Sequence, residues 1–338
     1  MQDDKYMQRC IQLAKKGLGK VAPNPLVGCV IVHQNKIIGE GFHAQYGKAH
    51  AEVNAIESVK DKSLLPYSTV YVSLEPCAHF GKTPPCADLL ITHKVQKVTI
   101  GCIDNNTEVA GKGIQKLKAA GIDVELGILE KECKALNVPF FIFNEKKRPY
   151  IILKWAETAD GFMAGEQKQI SGQYAQQLVH KWRAETPAFL IGTNTLLLDN
   201  PQLNSRLFSP KNPIRIAIDF NLKSEGRNLN FYDKSQKTII LNGLKNEQSN
   251  AIEYIKIKDT HPQTIVNVLY SLKIQSVIIE GGKALLESFL NENLFDEIRI
   301  IKSKIKVFNK GILAPKLEQH TTVVQDLNDD ILTIYKSF

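Results

Sequence analysis

Through the first 145 residues, apolar side chains gather into short, β-branched runs at Val27–Val32, Val70–Leu74, Val98–Cys102 and Val124–Ile128. Between these runs apolar positions recur at helical spacing, over residues 50–60, 85–93, 112–120 and 130–136. Strand-length runs that alternate with helical stretches predict a sheet with helices on its faces. A basic, Pro-ended stretch, Asn144-Glu-Lys-Lys-Arg-Pro149, then interrupts the pattern and marks a domain boundary. Beyond it the alternation restarts, with strands at Tyr150–Trp155, Ala188–Ile191, Ile214–Ile218, Thr238–Leu241, Val277–Ile279 and Ile298–Ile301. Helices are expected over 172–184, 262–272 and 283–291. The chain therefore reads as α/β throughout, in two domains, 1–145 and 148–338.

Composition agrees with two ordinary globular domains: 338 residues, 43% hydrophobic and 23% charged. No apolar stretch reaches the roughly 18 residues that a membrane span needs. The start, Met1-Gln-Asp-Asp-Lys-Tyr6, has no apolar run of the secretory kind, which predicts a cytoplasmic protein. Six cysteines are too sparse for a disulfide scaffold, and Cys10, Cys29, Cys102 and Cys133 sit singly, as buried free thiols do. The net charge of +8 is scattered, with Lys146-Lys147-Arg148 as the one dense run. Without a basic stripe interleaved with aromatics, nucleic acid and membrane are not expected partners, and a phosphorylated small molecule is.

Candidate chemistry concentrates in two segments of the first domain. His50-Ala51-Glu52-Val53-Asn54-Ala55 opens a predicted helix, and Pro76-Cys77-Ala78-His79-Phe80-Gly81-Lys82-Thr83-Pro84-Pro85-Cys86 follows the next strand. One His and two Cys are the protein ligands of a catalytic zinc, which keeps its fourth position for water. Zinc lowers the pKa of a bound water from 15.7 to about 7. Glu52 lies two residues after His50, placed to carry a proton from that water to a leaving amine. This is the His-x-Glu and Pro-Cys-x-x-Cys pattern of zinc deaminases, except that eight residues separate Cys77 from Cys86 rather than two. A closed structural site, with His79 or His43 as fourth ligand, is the alternative; the carboxylate beside the ligand His favours hydrolysis.

With Pro23-Asn24-Pro25-Leu26-Val27-Gly28 and Gly41-Phe42-His43, these segments resemble the bifunctional deaminase/reductase family of riboflavin biosynthesis. The Lys-Thr-Pro-Pro between the cysteines separates that family from nucleoside and nucleic-acid deaminases. The resemblance implies a cytidine-deaminase-like three-layer first domain and a dihydrofolate-reductase-like second domain. It implies zinc on His50, Cys77 and Cys86, with Glu52 as the catalytic acid/base. The implied substrate is 2,5-diamino-6-(5-phosphoribosylamino)pyrimidin-4-one, whose 2-amino group is hydrolysed. Asn24 and His43 would meet the pyrimidine edge; His79, Lys82 and Thr83 would grip the phosphate. The family tends to form dimers or larger homo-oligomers. One departure is visible: Asp104-Asn105-Asn106-Thr107 stands where the family has Asp-Pro-Asn-Pro before the Ala110-Gly-Lys-Gly113 turn, which predicts a looser loop.

The second domain carries weaker motifs. Ile278-Ile279-Glu280-Gly281-Gly282-Lys283 runs from a strand through two glycines into a helix, a geometry that suits a phosphate and equally an ordinary turn. The resemblance to the reductase half implies an NADPH site at Ala156, Gln169, Thr195, Asp199, Gly281, Gly282 and Lys283. It implies substrate contacts at Gln167, Arg183, Leu203, Arg206 and Glu280, the arginines for phosphate. Lys154 is the candidate to assist reduction of the ribosyl group to ribityl. Thr158 replaces the family's Ser, and Gln169 its Trp, removing an aromatic surface against the cofactor. A nucleic-acid or nucleoside deaminase with an appended non-catalytic domain is the competing reading. The Lys-Thr-Pro-Pro insertion and the absence of a basic aromatic stripe argue against it. Lys154, Asp199 and Glu280 near strand ends argue against a second half that only assembles oligomers, since α/β sheets bind ligands there.

Overall fold

The computed structural model describes all residues except 1, 79, 81–83, 106–109, 166–168, 210, 250, 318–322 and 337–338. It divides into two compact units, Met1–Lys147 and Arg148–Phe338. No helix among the described residues is long and apolar enough to cross a membrane.

The first unit begins with α1 (Gln2–Lys15), then the hairpin of β1 (Gly28–His33) and β2 (Lys36–Phe42), then α2 (Ala51–Ser58). It continues with β3 (Thr69–Leu74), α3 (Cys86–Thr92), β4 (Lys97–Cys102), α4 (Lys112–Ala119) and β5 (Asp123–Leu126). Two further helices, α5 (Glu130–Leu136) and α6 (Val138–Glu145), close it. The strands form one sheet in the order β2-β1-β3-β4-β5, antiparallel through β2, β1 and β3 and parallel beyond. Alternate residues of β1 face opposite ways. Cys29 and Ile31 join the core with α2, α3 and α4 residues, while Val30 and Val32 join the one with α1 and α5 residues. The unit is thus a helix–sheet–helix sandwich, as the period-2 burial of strands requires.

Two elements here are hidden from the pattern of apolar residues. α1 reads as a polar start, yet Met7, Cys10, Leu13 and Ala14 are buried along one side of it. β2 carries Gly39 and Gly41, which argue against a strand. A Cβ at Gly41 would stand 2.3 Å from the Ala51 carbonyl and one at Gly39 would stand 2.6 Å from that of Ala55. The glycines are what let α2 lie against the strand, and α2 bears Glu52 and is capped by His50.

The second unit runs β6 (Tyr150–Glu157), β7 (Phe162–Ala164), α7 (Gln173–Glu185), β8 (Ala188–Gly192), α8 (Thr193–Asp199) and β9 (Ile214–Ile218). There follow β10 (Thr238–Asn242), β11 (Glu247–Ser249), β12 (Ile252–Lys256), α9 (Pro262–Ser271), β13 (Ser276–Glu280) and α10 (Lys283–Asn291). The last strands are β14 (Glu297–Ser303), β15 (Ile312–Leu313), β16 (Val323–Leu327) and β17 (Asp330–Lys336). The main sheet among the described residues has the order β11-β12-β10-β9-β8-β13-β6-β14-β17-β16. From β12 to β14 every pair is parallel. Ile151, Leu153, Ile216, Ile239 and Ile279 from these strands pack against Ile265, Leu269, Leu286 and Phe289 of α9 and α10. Both faces of a parallel sheet are covered, so its strands are nearly continuous apolar runs, which made them legible.

Arg215 is a charged side chain within that sheet, fully buried in β9. Its guanidinium donates to Asp233 Oδ1 at 2.8 Å, Thr238 Oγ1 at 3.0 Å and the Asn230 carbonyl at 2.9 Å, and reaches the Gln202 carbonyl at 3.4 Å. Gln236 Nε2 donates to the neighbouring Leu203 carbonyl, at 3.2 Å. The segment after α8 is held from beneath by these bonds. Replacing Arg215 with Met strands buried acceptors and is expected to destabilise this unit by about 1–3 kcal/mol. Both tryptophans, Trp155 and Trp182, belong to this unit, so intrinsic fluorescence in guanidinium reads the shift; an unchanged midpoint would contradict it.

Candidate active sites

His50 is the N-cap of α2, Cys86 the first residue of α3, and Cys77 lies just past the end of β3. His50 Nδ1 is 3.3 Å from Cys86 Sγ and 3.6 Å from Cys77 Sγ, and the three donor atoms lie within 4.8 Å of one another. The Cys86 backbone N–H donates to Cys77 Sγ at 3.3 Å. That hydrogen bond favours the thiolate a metal requires. One imidazole nitrogen and two sulfurs match the donors of an open zinc site. The Cys77 thiol is held well below its ordinary value, first by its hydrogen bond with Cys86, whose own thiol is pushed up in return.

Glu52 sits in the first turn of α2, only 4% exposed, beside His50 and both thiols. Burial first, and then Cys77, push its carboxyl up to about 7. His43 is buried, with Nδ1 3.0 Å from the Ala49 carbonyl and Nε2 3.1 Å from Asn24 Nδ2. A carbonyl accepts only from N–H, so Nδ1 carries the proton and Nε2 accepts from the Asn24 amide. The His43 ring stands edge-on to His50, centroids 5.4 Å apart. Asn24 and His43 thereby form one oriented polar pair beside His50. His79, Lys82 and Thr83 lie outside the described residues.

Sequence reasoning missed Glu75. Its buried carboxylate accepts from the backbone N–H groups of Gly111 and Gly113, both at 3.0 Å, and of Ile114 at 3.3 Å and Asp104 at 3.4 Å. A Cβ at Gly113 would meet the Pro76 carbonyl at 2.1 Å. The Ala110-Gly-Lys-Gly113 turn is therefore docked on the segment that bears Cys77. Its signal in the sequence is faint: an acid directly before Pro-Cys, and a Gly-rich turn with no partner of its own.

In the second unit a cavity of about 440 Å³ opens at the carboxyl ends of β6, β13 and β8. Lys154, Arg183, Arg206 and Glu280 line it. So do Ala156, Gln169, Thr195, Asp199, Leu203 and Gly281. Glu280, directly across from Lys154 in the parallel register, holds Lys154 Nζ at 3.2 Å and Arg183 Nη2 at 3.1 Å. These two cations keep the buried Glu280 carboxyl below its ordinary value despite burial. Arg183 Nε is a buried donor without a partner, and Arg206 bonds Asn204 Oδ1 at 2.7 Å.

A second cavity, about 390 Å³, is lined by Gly192, Thr193, Asp219, Asn221, Lys223 and Gly282 among others, and shares Thr195 with the first. Gly281 and Gly282 both have positive φ, +83° and +60°, and a Cβ on Gly281 would strike the Thr195 hydroxyl at 2.7 Å. The double glycine thus lies where the cavities meet, before the N-terminus of α10. Lys283 starts α10 with Nζ 3.6 Å from Glu287 and is not among the residues lining either cavity. Gln167 lies outside the described residues. Lys223 and Asn221 were not expected; their exposed loop has no distinguishing pattern.

Residues 1–102 match the cytidine and deoxycytidylate deaminase zinc-binding region, and residues 149–303 match the RibD C-terminal domain. The riboflavin biosynthesis protein RibD of Aquifex aeolicus is 35% identical, with 99% of each chain covered. That of Actinobacillus pleuropneumoniae is 40% identical over 88% of this chain and 82% of its own. A crystal structure of a diaminohydroxyphosphoribosylaminopyrimidine deaminase/5-amino-6-(5-phosphoribosylamino)uracil reductase from Thermotoga maritima is 35% identical and superposes with a TM-score of 0.91, over 99% of this chain and 98% of that one. RibD of Acinetobacter baumannii gives 0.86 at 33% identity, over 98% of both chains. A zinc-binding deaminase fold followed by a reductase fold, matched along the whole length, makes this chain a member of the RibD family of bifunctional riboflavin-biosynthesis enzymes.

Proposed function

We propose that residues 1–145 deaminate 2,5-diamino-6-(5-phosphoribosylamino)pyrimidin-4-one, and that residues 148–338 reduce the ribosyl group of the resulting aminouracil with NADPH. The observation that carries the reading is the approach of His50 Nδ1 to two thiols with a buried carboxyl, Glu52, beside them. The activities named for the Thermotoga maritima protein supply the substrates.

His50, Cys77 and Cys86 hold the zinc, which when bound supplies the Lewis acidity that brings water to hydroxide at neutral pH. Glu52 receives the proton of the attacking water and delivers it to the departing 2-amino group, leaving ammonia and the uracil. The fixed tautomer of His43 and the Asn24 amide orient the pyrimidine edge. Burial of Glu52 excludes bulk water from that transfer.

In the second unit NADPH supplies the hydride. Thr195 and the Gly281-Gly282 turn join the two cavities, so one dinucleotide would lie across both, its pyrophosphate against the glycines and the α10 N-terminus. Arg183 and Arg206 take the substrate phosphate. Lys154, paired with Glu280 at 3.2 Å, faces the reacting end of the ribosyl chain and furnishes a proton. Lys223 is the cation that lines the second cavity, and we assign it to the 2′-phosphate of the cofactor.

Glu52→Gln is expected to retain zinc, measured by metal analysis, while ammonia release falls by about a hundredfold or more. Loss of the metal along with activity would make Glu52 a ligand instead. Lys223→Ala should raise the KM for NADPH roughly tenfold and leave that for NADH unchanged, the loss of one charge-assisted hydrogen bond. Equal effects on both cofactors would remove Lys223 from the 2′-phosphate.

A further inference from the structure

Neither proposed reaction uses His180. It lies on α7, three residues before Arg183 and therefore on the same side of the helix, and both line the first reductase cavity. The residue is 4% exposed, and Nδ1 is buried with no hydrogen-bond partner. The ring meets the backbone carbonyl of Asn204, which accepts only from N–H. In a neutral imidazole the remaining nitrogen, Nδ1, then offers a lone pair. Burial first, then the charges of Arg183 and Arg206, hold the ring down to about 4, so it is neutral at pH 7.

An unsatisfied buried acceptor costs stability, and packing alone would be served better by an apolar side chain. The unpartnered nitrogen has a chemical complement. Arg183 and Arg206 offer donors to an anion, whereas Nδ1 needs a donor. A 5-phosphoribosyl chain carries both, a phosphate and hydroxyls a few bonds away. We propose that His180 Nδ1 accepts a hydrogen bond from a hydroxyl of the substrate's ribosyl chain, beside the phosphate held by Arg183 and Arg206. The inference rests on the reductase reading above and adds a substrate-binding residue to it.

The test compares His180→Leu and His180→Asn in the full chain, by NADPH oxidation with 5-amino-6-(5-phosphoribosylamino)uracil. Leu keeps bulk and removes the acceptor; Asn keeps an oxygen near the Nδ1 position. Leu should lower kcat/KM roughly tenfold or more, with NADPH affinity and the tryptophan-reported unfolding midpoint near wild type, and Asn should recover most of the loss. A lowered midpoint with unchanged kcat/KM for Leu would show a packing role and overturn the proposal. In the wild type, labelled with 15N-histidine and bound to NADP+, the Nδ1 resonance of His180 should move on titration with ribose 5-phosphate. No movement at saturation overturns the proposal whatever the variants do. A wild type that oxidises no NADPH would sink the reductase reading, while the titration still decides whether His180 meets a sugar hydroxyl.

Discussion

His50, Cys77 and Cys86 belong to a helix cap, a strand end and a helix start, yet their donor atoms must lie within 4.8 Å of one another. That requirement shapes the whole first unit. Gly39 and Gly41 are bare so that α2 can approach β2, and Asn54 Nδ2 ties α2 to the Phe42 carbonyl at 2.9 Å. Glu75 fixes the other side, taking four backbone N–H groups of the 104–114 segment immediately before Pro76-Cys77. A metal site is only as precise as the shell that orients its ligands, and here that shell is largely backbone.

The second unit solves a comparable problem with one carboxylate. Glu280 ends β13, in the middle of the parallel sheet, and gathers a lysine from β6 and an arginine from α7. Glu280 is buried and the two cations mostly so, and each charge is tolerated because the others are there. The same burial that makes the cluster costly keeps its electrostatics strong toward a phosphorylated ligand. Below it, Arg215 anchors the loop that carries Leu203, whose φ of +48° is unusual for a side chain of its kind. The loop after α8 is thus pinned to buried polar groups.

The parallel strands and the His50, Cys77 and Cys86 cluster were legible in the sequence for the same reason: both need particular residue types at fixed spacing. Strands buried on both faces must be apolar runs, and zinc needs His and Cys. β2 was obscured because close packing against α2 demanded glycine where strand propensity wants a side chain. Glu75, Arg215 and His180 were invisible because what surrounds them, backbone groups and the side chains of Asp233 and Thr238 among it, is brought near only by the fold. Lys223 illustrates a third case, an exposed lysine whose significance depends on which cavity it borders.

The central claim is that one chain performs a hydrolysis and then a reduction on the same phosphorylated pyrimidine. The most direct measurement supplies zinc-loaded protein with the diaminopyrimidinone ribotide and NADPH, and follows ammonia and NADPH together. The account predicts ammonia release first and NADPH oxidation only after it. Absence of ammonia with zinc bound, or ammonia without any later loss of NADPH, would contradict it.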